Sequence, residues 1–343
     1  MPTLRYPANI SRSYLLKLSF PIFFSNLAVP LVGVIDTALM GHLANESYLV
    51  ATSLASSTIL MIFWSFGFLR MGTVGLVSQS LGKGDYHEIV NIVVRNLILA
   101  LLVSILIIFL YLPIIYGIDF FFNTSDNIFQ LIKKYIFIRV FSAPAELTLY
   151  VLVGLFLGLQ KTLIASMITI SYSLLNIFLS IVLVINFNLN ISGVALGTLI
   201  SSYVATFLVL VWTYFFFKKR FQIIAKLKKS IFNIKKITKL VTICSNIFIR
   251  TIFLTFAFLW INYLSSKIGE SYIAINTILL QLVTISSFFL DAFAYSTEGV
   301  IGYAVGKKSE KTFLNTVTNS IQLSFFAGII IGVIYIFFSK EIV

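Results

Sequence analysis

Apolar runs of about twenty residues, separated by short polar or charged stretches, recur from one end of the chain to the other. LILALLVSILIIFLYLPIIYG and IQLSFFAGIIIGVIYIFF are two of them. A transmembrane β-barrel needs segments of about ten residues that alternate inside and outside. These runs are continuous, and about twenty apolar residues is the length at which a helix crosses about 30 Å of hydrocarbon. Cutting the chain at charge clusters and turn residues predicts nine spans, near 15–40, 48–82, 90–117, 128–159, 162–186, 191–217, 238–265, 271–306 and 313–338. The second and eighth have some 35 residues each. At about 1.5 Å per residue that is about 50 Å, so they must tilt or project beyond the bilayer.

The pattern repeats itself. With an offset of 224 and no gap, Glu46-Ser47-Tyr48 meets Glu270-Ser271-Tyr272, Thr73 and Gly75 meet Thr297 and Gly299, Gly82-Lys83 meets Gly306-Lys307, and Asn91 meets Asn315. The offset equals six spans, an even number, so both copies have the same orientation. This makes it a parallel repeat, as in transporters built of two like halves, and a substrate is then expected between them. The predicted fold is an all-α integral membrane protein with a six-helix N-lobe over 1–217, a basic linker over 218–237 and a partial C-lobe of about three helices over 238–343. Two full copies need about 450 residues, twice the observed offset, so the chain is expected to be cut short at its C-terminal end.

Composition sharpens the assignment. Apolar residues make up 59% and charged residues 11% of the 343, against about 25% charge in a soluble domain. The formal net charge of +13 does not indicate nucleic acid, because the excess is concentrated in KKRFQIIAKLKKSIFNIKKITK, Lys218 to Lys239. Arg5, Arg12 and Lys17, then Lys83, Lys161, that cluster, and Lys307, Lys308 and Lys311 fall in loops on one side, which the positive-inside bias makes cytoplasmic. The opposite loops hold Lys267, Lys340, Lys133 and Lys134 among Glu46, Asp119, Asp126, Glu270 and Glu341. The stretch Leu18 to Met40 is longer than a signal-peptide core and carries Pro21, Pro30 and Asp36, so it reads as a retained first helix with a cytoplasmic N-terminus. Cys244 is the only cysteine and there are two histidines, which leaves no internal disulfide and no zinc ligand set. No GxxxxGK[ST] loop is present, and no cofactor is implied.

Within the apolar spans a few ionisable residues stand out. An ionised carboxylate at bilayer depth costs about 2.5–3.5 kcal/mol on insertion scales, and such residues line paths or sites. Asp36 is the first candidate, able to take a proton on one side and release it on the other; the bland alternative is a static hydrogen-bond network. Pro21 and Pro30 precede it by fifteen and six residues, and each removes a helical hydrogen bond, so this helix can bend. Asp291 and Glu298 lie two turns apart on one face of the eighth span, with Arg250 on the preceding one. They read as a substrate or second-lobe site, or as internal salt bridges. Arg139 is placed to satisfy Glu146, seven residues on. Arg70 is read as a structural partner. The 34 phenylalanines and 16 tyrosines read mostly as lipid-facing or packing residues, with an aromatic pocket for organic cations as the alternative.

The segments LSFPIFFSNLAVPLVGVIDTALMGHL and FWSFGFLRMGTVGLVSQSLGKGD closely resemble the first two helices of DinF-like members of the MATE (multidrug and toxic compound extrusion) family. SLLNIFLSIVLVINFNLNISGVALGT is similar to that family's helices five and six, and RTIFLTFAFLW with AINTILLQLVTISSFFLDAFAYSTEGVIGYAVGKKS to its helices seven and eight. The resemblance implies two six-helix lobes around a V-shaped cavity and a monomeric antiporter of a bacterial inner membrane. It would export cationic or amphipathic organic compounds against entering protons or sodium. On that resemblance Asp36 matches the coupling residue of helix one, a possible Na+ ligand, and Asn176 and Thr198 match polar positions that share its pocket. Two features depart from the family. The Asp often found one turn after the helix-five Asn is Ser180 here, which weakens a sodium site, and the RGxxDT-like turn after helix four reads LGLQKT.

Other functions fit less well. A lipid-linked oligosaccharide flippase of the same architecture tends to line its cavity with basic residues, whereas the charges here are mixed. A prenyltransferase needs clustered carboxylates, and Asp36, Asp291 and Glu298 are scattered. A truncated, inactive remnant of a MATE transporter is the third alternative.

Overall fold

The computed structural model describes residues 10–43, 46–122, 124–221, 229–268 and 270–337, less a few side chains within the helices. Arg5, Lys340, Glu341 and residues 222–228 of the basic linker lie outside them, as do the side chains of Glu270 and Ser271. Among the described residues there are twelve α-helices: α1 (Arg12–Gly41), α2 (Glu46–Ser65), α3 (Phe68–Gly82), α4 (Tyr86–Phe109), α5 (Tyr111–Phe122), α6 (Asp126–Val140), α7 (Ala143–Gly158), α8 (Thr162–Ile181), α9 (Asn190–Phe221), α10 (Ile234–Ile268), α11 (Glu270–Lys307) and α12 (Glu310–Phe337). A π-helical turn, Val182–Asn186, extends α8, and a 3₁₀ turn, Lys229–Phe232, precedes α10.

The picture of nine unbroken spans with a lobe cut to three helices is corrected: three spans are broken, and the breaks have local causes. The third parts at Leu110 into α4 and α5, three residues before Pro113, whose ring excludes the carbonyl of Phe109 and which has no N–H to donate. The fourth parts before Pro144, which sits in the first turn of α7, and the two halves meet at 48°. The second parts at Phe66 and Gly67 into α2 and α3. Among the described residues, eight helices or helix runs are long and apolar enough to cross a membrane, nine if the bent α6–α7 pair is one span. Pro21 and Pro30 both lie inside the single helix α1.

The buried core belongs mainly to α1–α9. Ile59, Phe63, Leu69, Ile89, Ile136, Leu147 and Phe156 are all at most 1% exposed. α1 packs along α8, α8 along α9, and α7 along α3 and α4. By contrast α10 and α12 present Phe253, Phe256, Phe325 and Ile330 outward. Lipid is the solvent for such a surface, so these residues need no protein partner.

α11 joins the two halves by packing along α3 and α1. The α3–α11 seam is built on glycines. A methyl group placed on Gly82 would meet the carbonyl oxygen of Tyr303, one on Gly306 would meet that of Gln79, and one on Gly302 would meet the Ser78 hydroxyl. With the offset of 224, Gly82 is equivalent to Gly306, Gln79 to Tyr303 and Ser78 to Gly302. Each contact is therefore the image of the other, and Ser78 with Gly302 lies on the axis, the self-complementary relation of a two-fold interface.

The polar and aromatic contacts between α1–α9 and α10–α12, among the described residues, lie between this end of the molecule and mid-height. Arg12 donates to Gln322 at 2.5 Å, Asn319 to the carbonyl of Ile10 at 2.8 Å, and Ser19 shares a 2.7 Å bond with Ser296. Asn26 donates to the carbonyl of Phe288 at 3.0 Å, and Phe23 meets Phe289 at 4.4 Å between ring centroids. On the same end Glu88 of α4 pairs with Arg95 at 2.8 Å and with Lys236 of α10 at 2.5 Å.

The LGLQKT turn contributes here as well. Gln160 adopts a left-handed φ of 55°, uncommon for a residue with a side chain. It accepts from the Tyr14 hydroxyl at 2.8 Å and donates to the carbonyl of Gly299 at 3.5 Å. The turn thus bridges α1 and α11.

Candidate functional site

Asp36, Asn176 and Thr198 come from three helices that the sequence does not connect, α1, α8 and α9. Packing of α1 on α8 and α8 on α9 brings them together. Asn176 donates through Nδ2 to Thr198 Oγ1 at 3.1 Å and accepts through Oδ1 from the Ser180 hydroxyl at 3.2 Å, while Thr198 donates to the carbonyl of Val194 at 3.2 Å. Asn176, Ser180 and Thr198 are all buried. Gly197, beside Thr198, keeps α9 close: a methyl group there would meet Ser180 at 2.8 Å.

Asp36 faces this row, with Ser180 and the Arg139 guanidinium acting on it. Its Oδ1 is buried and has no hydrogen-bond partner. An acceptor that is buried and unmatched is expensive. A proton on the carboxyl, or a small cation beside it, removes that cost.

Arg139 of α6 is 5% exposed and pairs with Glu146 of α7. It also donates to Ser142 Oγ at 2.5 Å, and Ser142 donates in turn to Glu146 Oε1 at 2.7 Å. The pair therefore straddles the α6–α7 bend, with Phe63 under the guanidinium at 5.5 Å.

The second group of ionisable residues lies on α11. Asp291, Tyr295 and Glu298 fall at i, i+4 and i+7 on one face, and the Tyr295 hydroxyl donates to Asp291 Oδ2 at 3.3 Å. That face meets α3, and the Arg70 guanidinium sits over the Tyr295 ring, 4.0 Å from its centroid. Glu298 and Tyr150 also act on Arg70, and Asp291 feels Arg70 and Arg250. Arg250 is itself exposed on α10. Arg70 is the residue whose place the sequence did not reveal. An arginine three positions after Gly67, in a run otherwise apolar, was the available signal, but which helix it faces depends on the fold.

The structure thus holds two separate ionisable groups, Asp36 with Asn176, Ser180 and Thr198 in one half, and Asp291 with Glu298, Tyr295 and Arg70 where the halves meet.

Comparisons with known proteins agree with this architecture. The MatE family description matches residues 21–182 and 247–343. DNA damage-inducible protein F of Escherichia coli (strain K12) is 30% identical over 326 residues, covering 95% of this chain and 71% of that protein. Multidrug export protein MepA of Staphylococcus aureus (strain bovine RF122 / ET3-1) is 21% identical, covering 94% of this chain and 69% of that protein. The solved outward-facing structure of a multidrug resistance MATE family transporter of the MOP superfamily superposes with a TM-score of 0.87 at 20% identity, over 96% of this chain and 73% of that one. The expectation that the chain is cut short is not borne out by these matches.

Proposed function

Because the chain belongs to the MatE family of multi-pass membrane transporters, whose members use coupling ions to export organic substrates and are not enzymes, we propose that it is a secondary antiporter for cationic or amphipathic organic compounds. The entering ion is a proton, with sodium as the alternative. The reading is carried by one observation, the buried and unpartnered Oδ1 of Asp36 beside a row of oxygen and amide groups. The oxygen of Asn176 already accepts from Ser180, which leaves fewer free ligands for sodium and favours a proton. The names of the export protein MepA and of the multidrug MATE transporter, similar in sequence and in fold respectively, support the substrate class.

The N-lobe is assigned to residues 1–217 and the C-lobe to 238–343, joined by the linker 218–237, with α9 and α10 reaching into it from both sides. The lobes rock about the glycine seam. With the N-terminus cytoplasmic in a bacterial inner membrane, the seam closes the cytoplasmic side and the cavity opens outward. One proton moving through about 100–150 mV supplies roughly 2.3–3.5 kcal/mol. At one-to-one exchange that sustains a substrate gradient of about fifty- to a few hundredfold, and no nucleotide is required.

Asp36→Asn tests the reading. In vesicles containing the full chain, an imposed pH gradient drives efflux of a cationic dye, and the variant inserts normally but loses that efflux. Undiminished efflux by the variant removes Asp36 from the mechanism.

A further inference from the structure

Arg70 is a fixed cation on one half of the molecule that faces acids on the other. It lies in the first turn of α3, about 18 Å above the Gly82 end at 1.5 Å per residue, where the α3–α11 seam begins. Its guanidinium covers the Tyr295 ring at 4.0 Å, and that ring is flanked on its own helix by Asp291 and Glu298. The ionisable groups facing the cluster are Tyr150 of α7, Arg250 of α10, and Asp291, Tyr295 and Glu298 of α11. Among the described residues no ion pair within 4.0 Å locks Arg70 to either acid. The guanidinium occupies the aromatic face and the field of two carboxyls without a fixed bond to either.

An organic cation recognised here would use the same two features, an aromatic face and carboxylate charge. One ring face accepts one cation. We propose that Arg70 is a resident competitor for the cationic substrate: with the seam closed it fills the Tyr295 face before Asp291 and Glu298, and when the seam opens it withdraws with α3 and frees that face. The inference rests on the export reading above and deepens it by assigning the site and the step at which the substrate is released.

Charge balance gives the direction. With both acids ionised and Arg70 and Arg250 in place the cluster is neutral; with Arg70 withdrawn it carries one negative charge. Removing a unit charge some 6 Å away at an effective dielectric of about 20 changes cation affinity on the order of a hundredfold. The site is therefore strong when open to the cytoplasm and weak when open outward, as an exporter requires. By linkage, a bound cation favours the open seam by the same factor. Charge on Asp36 is not needed for this step, so the two acid groups serve the driving ion and the cargo separately.

The test measures equilibrium binding of tetraphenylphosphonium to the purified full chain in lipid nanodiscs, with efflux assayed in vesicles. Arg70→Gln is expected to bind on the order of ten- to a hundredfold more tightly, with KM for efflux lowered and kcat lowered with it. Arg70→Lys keeps the charge and stays within about threefold of the unaltered chain, and Arg70→Gln with Glu298→Gln restores the net charge and brings affinity back toward it. A purely structural arginine would lower binding in all three. Equal or weaker binding by folded Arg70→Gln overturns the proposal. Should that variant fail to fold, Glu298→Gln alone, which removes one negative charge from the cluster, must weaken binding about tenfold or more; unchanged binding overturns the proposal equally. Tighter binding in Arg70→Gln together with no gradient-driven efflux by the unaltered chain keeps the competition and removes the export reading.

Discussion

At the scale of single residues, most of the ionisable groups were legible and their partners only sometimes. Arg139 and Glu146 are close in sequence, so their pairing followed from spacing, and the structure adds Ser142 as a third member. Asp36 was legible because a carboxylate in an apolar run is anomalous wherever it points. Its companions Asn176 and Thr198 carry no charge, and only the family resemblance drew them out. Arg70 was legible as a structural partner, but not of which residues, because Tyr295 and Glu298 lie more than two hundred positions away. Removing one member of a buried pair leaves a charge uncompensated, at a cost of about 3–5 kcal/mol. Glu146→Gln should therefore lower the thermal unfolding temperature of the solubilised protein markedly. Arg139→Leu combined with Glu146→Leu should recover most of the loss, since no bare charge then stays buried. If the double variant is as unstable as the single one, the pair is not the source of the effect.

At the scale of helices, nine apolar spans could be counted because hydropathy reports which stretches cross the membrane. The breaks inside them were less visible, although Pro113 and Pro144 mark two of the three. A proline says that a hydrogen bond is missing, but whether the helix bends, as α6–α7 does, or passes through, as α1 does at Pro21 and Pro30, is decided by what packs on either side. The glycine seam shows the same division of information. Gly82 and Gly306 were visible as equivalent positions, while their contact required the fold. A side chain on either meets backbone carbonyl oxygen, which cannot rotate aside, so α3 and α11 must separate. Gly306→Ala and Gly82→Ala should each shift the protein toward the cytoplasm-open form, read as faster labelling of Ser78→Cys by an impermeant maleimide from the cytoplasmic side. Gly33→Ala in α1, where a methyl group has open space, is the matched control. Equal labelling in all three backgrounds would show that the seam does not set the equilibrium.

At the scale of the whole molecule, one geometric fact acquires meaning only through orientation. The seam, the Arg12–Gln322 and Asn319–Ile10 bonds and the Glu88–Lys236 pair gather at one end, and the other end of the interface has no such contacts among the described residues. If the gathered end faces the cytoplasm, the cavity opens outward, Asp36 about 8 Å from the Gly41 end of α1 meets the external solution, and Arg70 guards the way in. If it faces outward, the same arrangement is an importer's loading state and the direction derived from Arg70 reverses. Lysine and arginine bias assigns that end to the cytoplasm, and the assignment can be checked independently of transport. Lys311 and Asp126 are both exposed and lie at opposite ends, and the native Cys244 is buried. In right-side-out vesicles, Asp126→Cys should react with an impermeant maleimide and Lys311→Cys should react only after the membrane is opened. The reverse pattern would invert the molecule, and with it the order in which proton and substrate meet their sites.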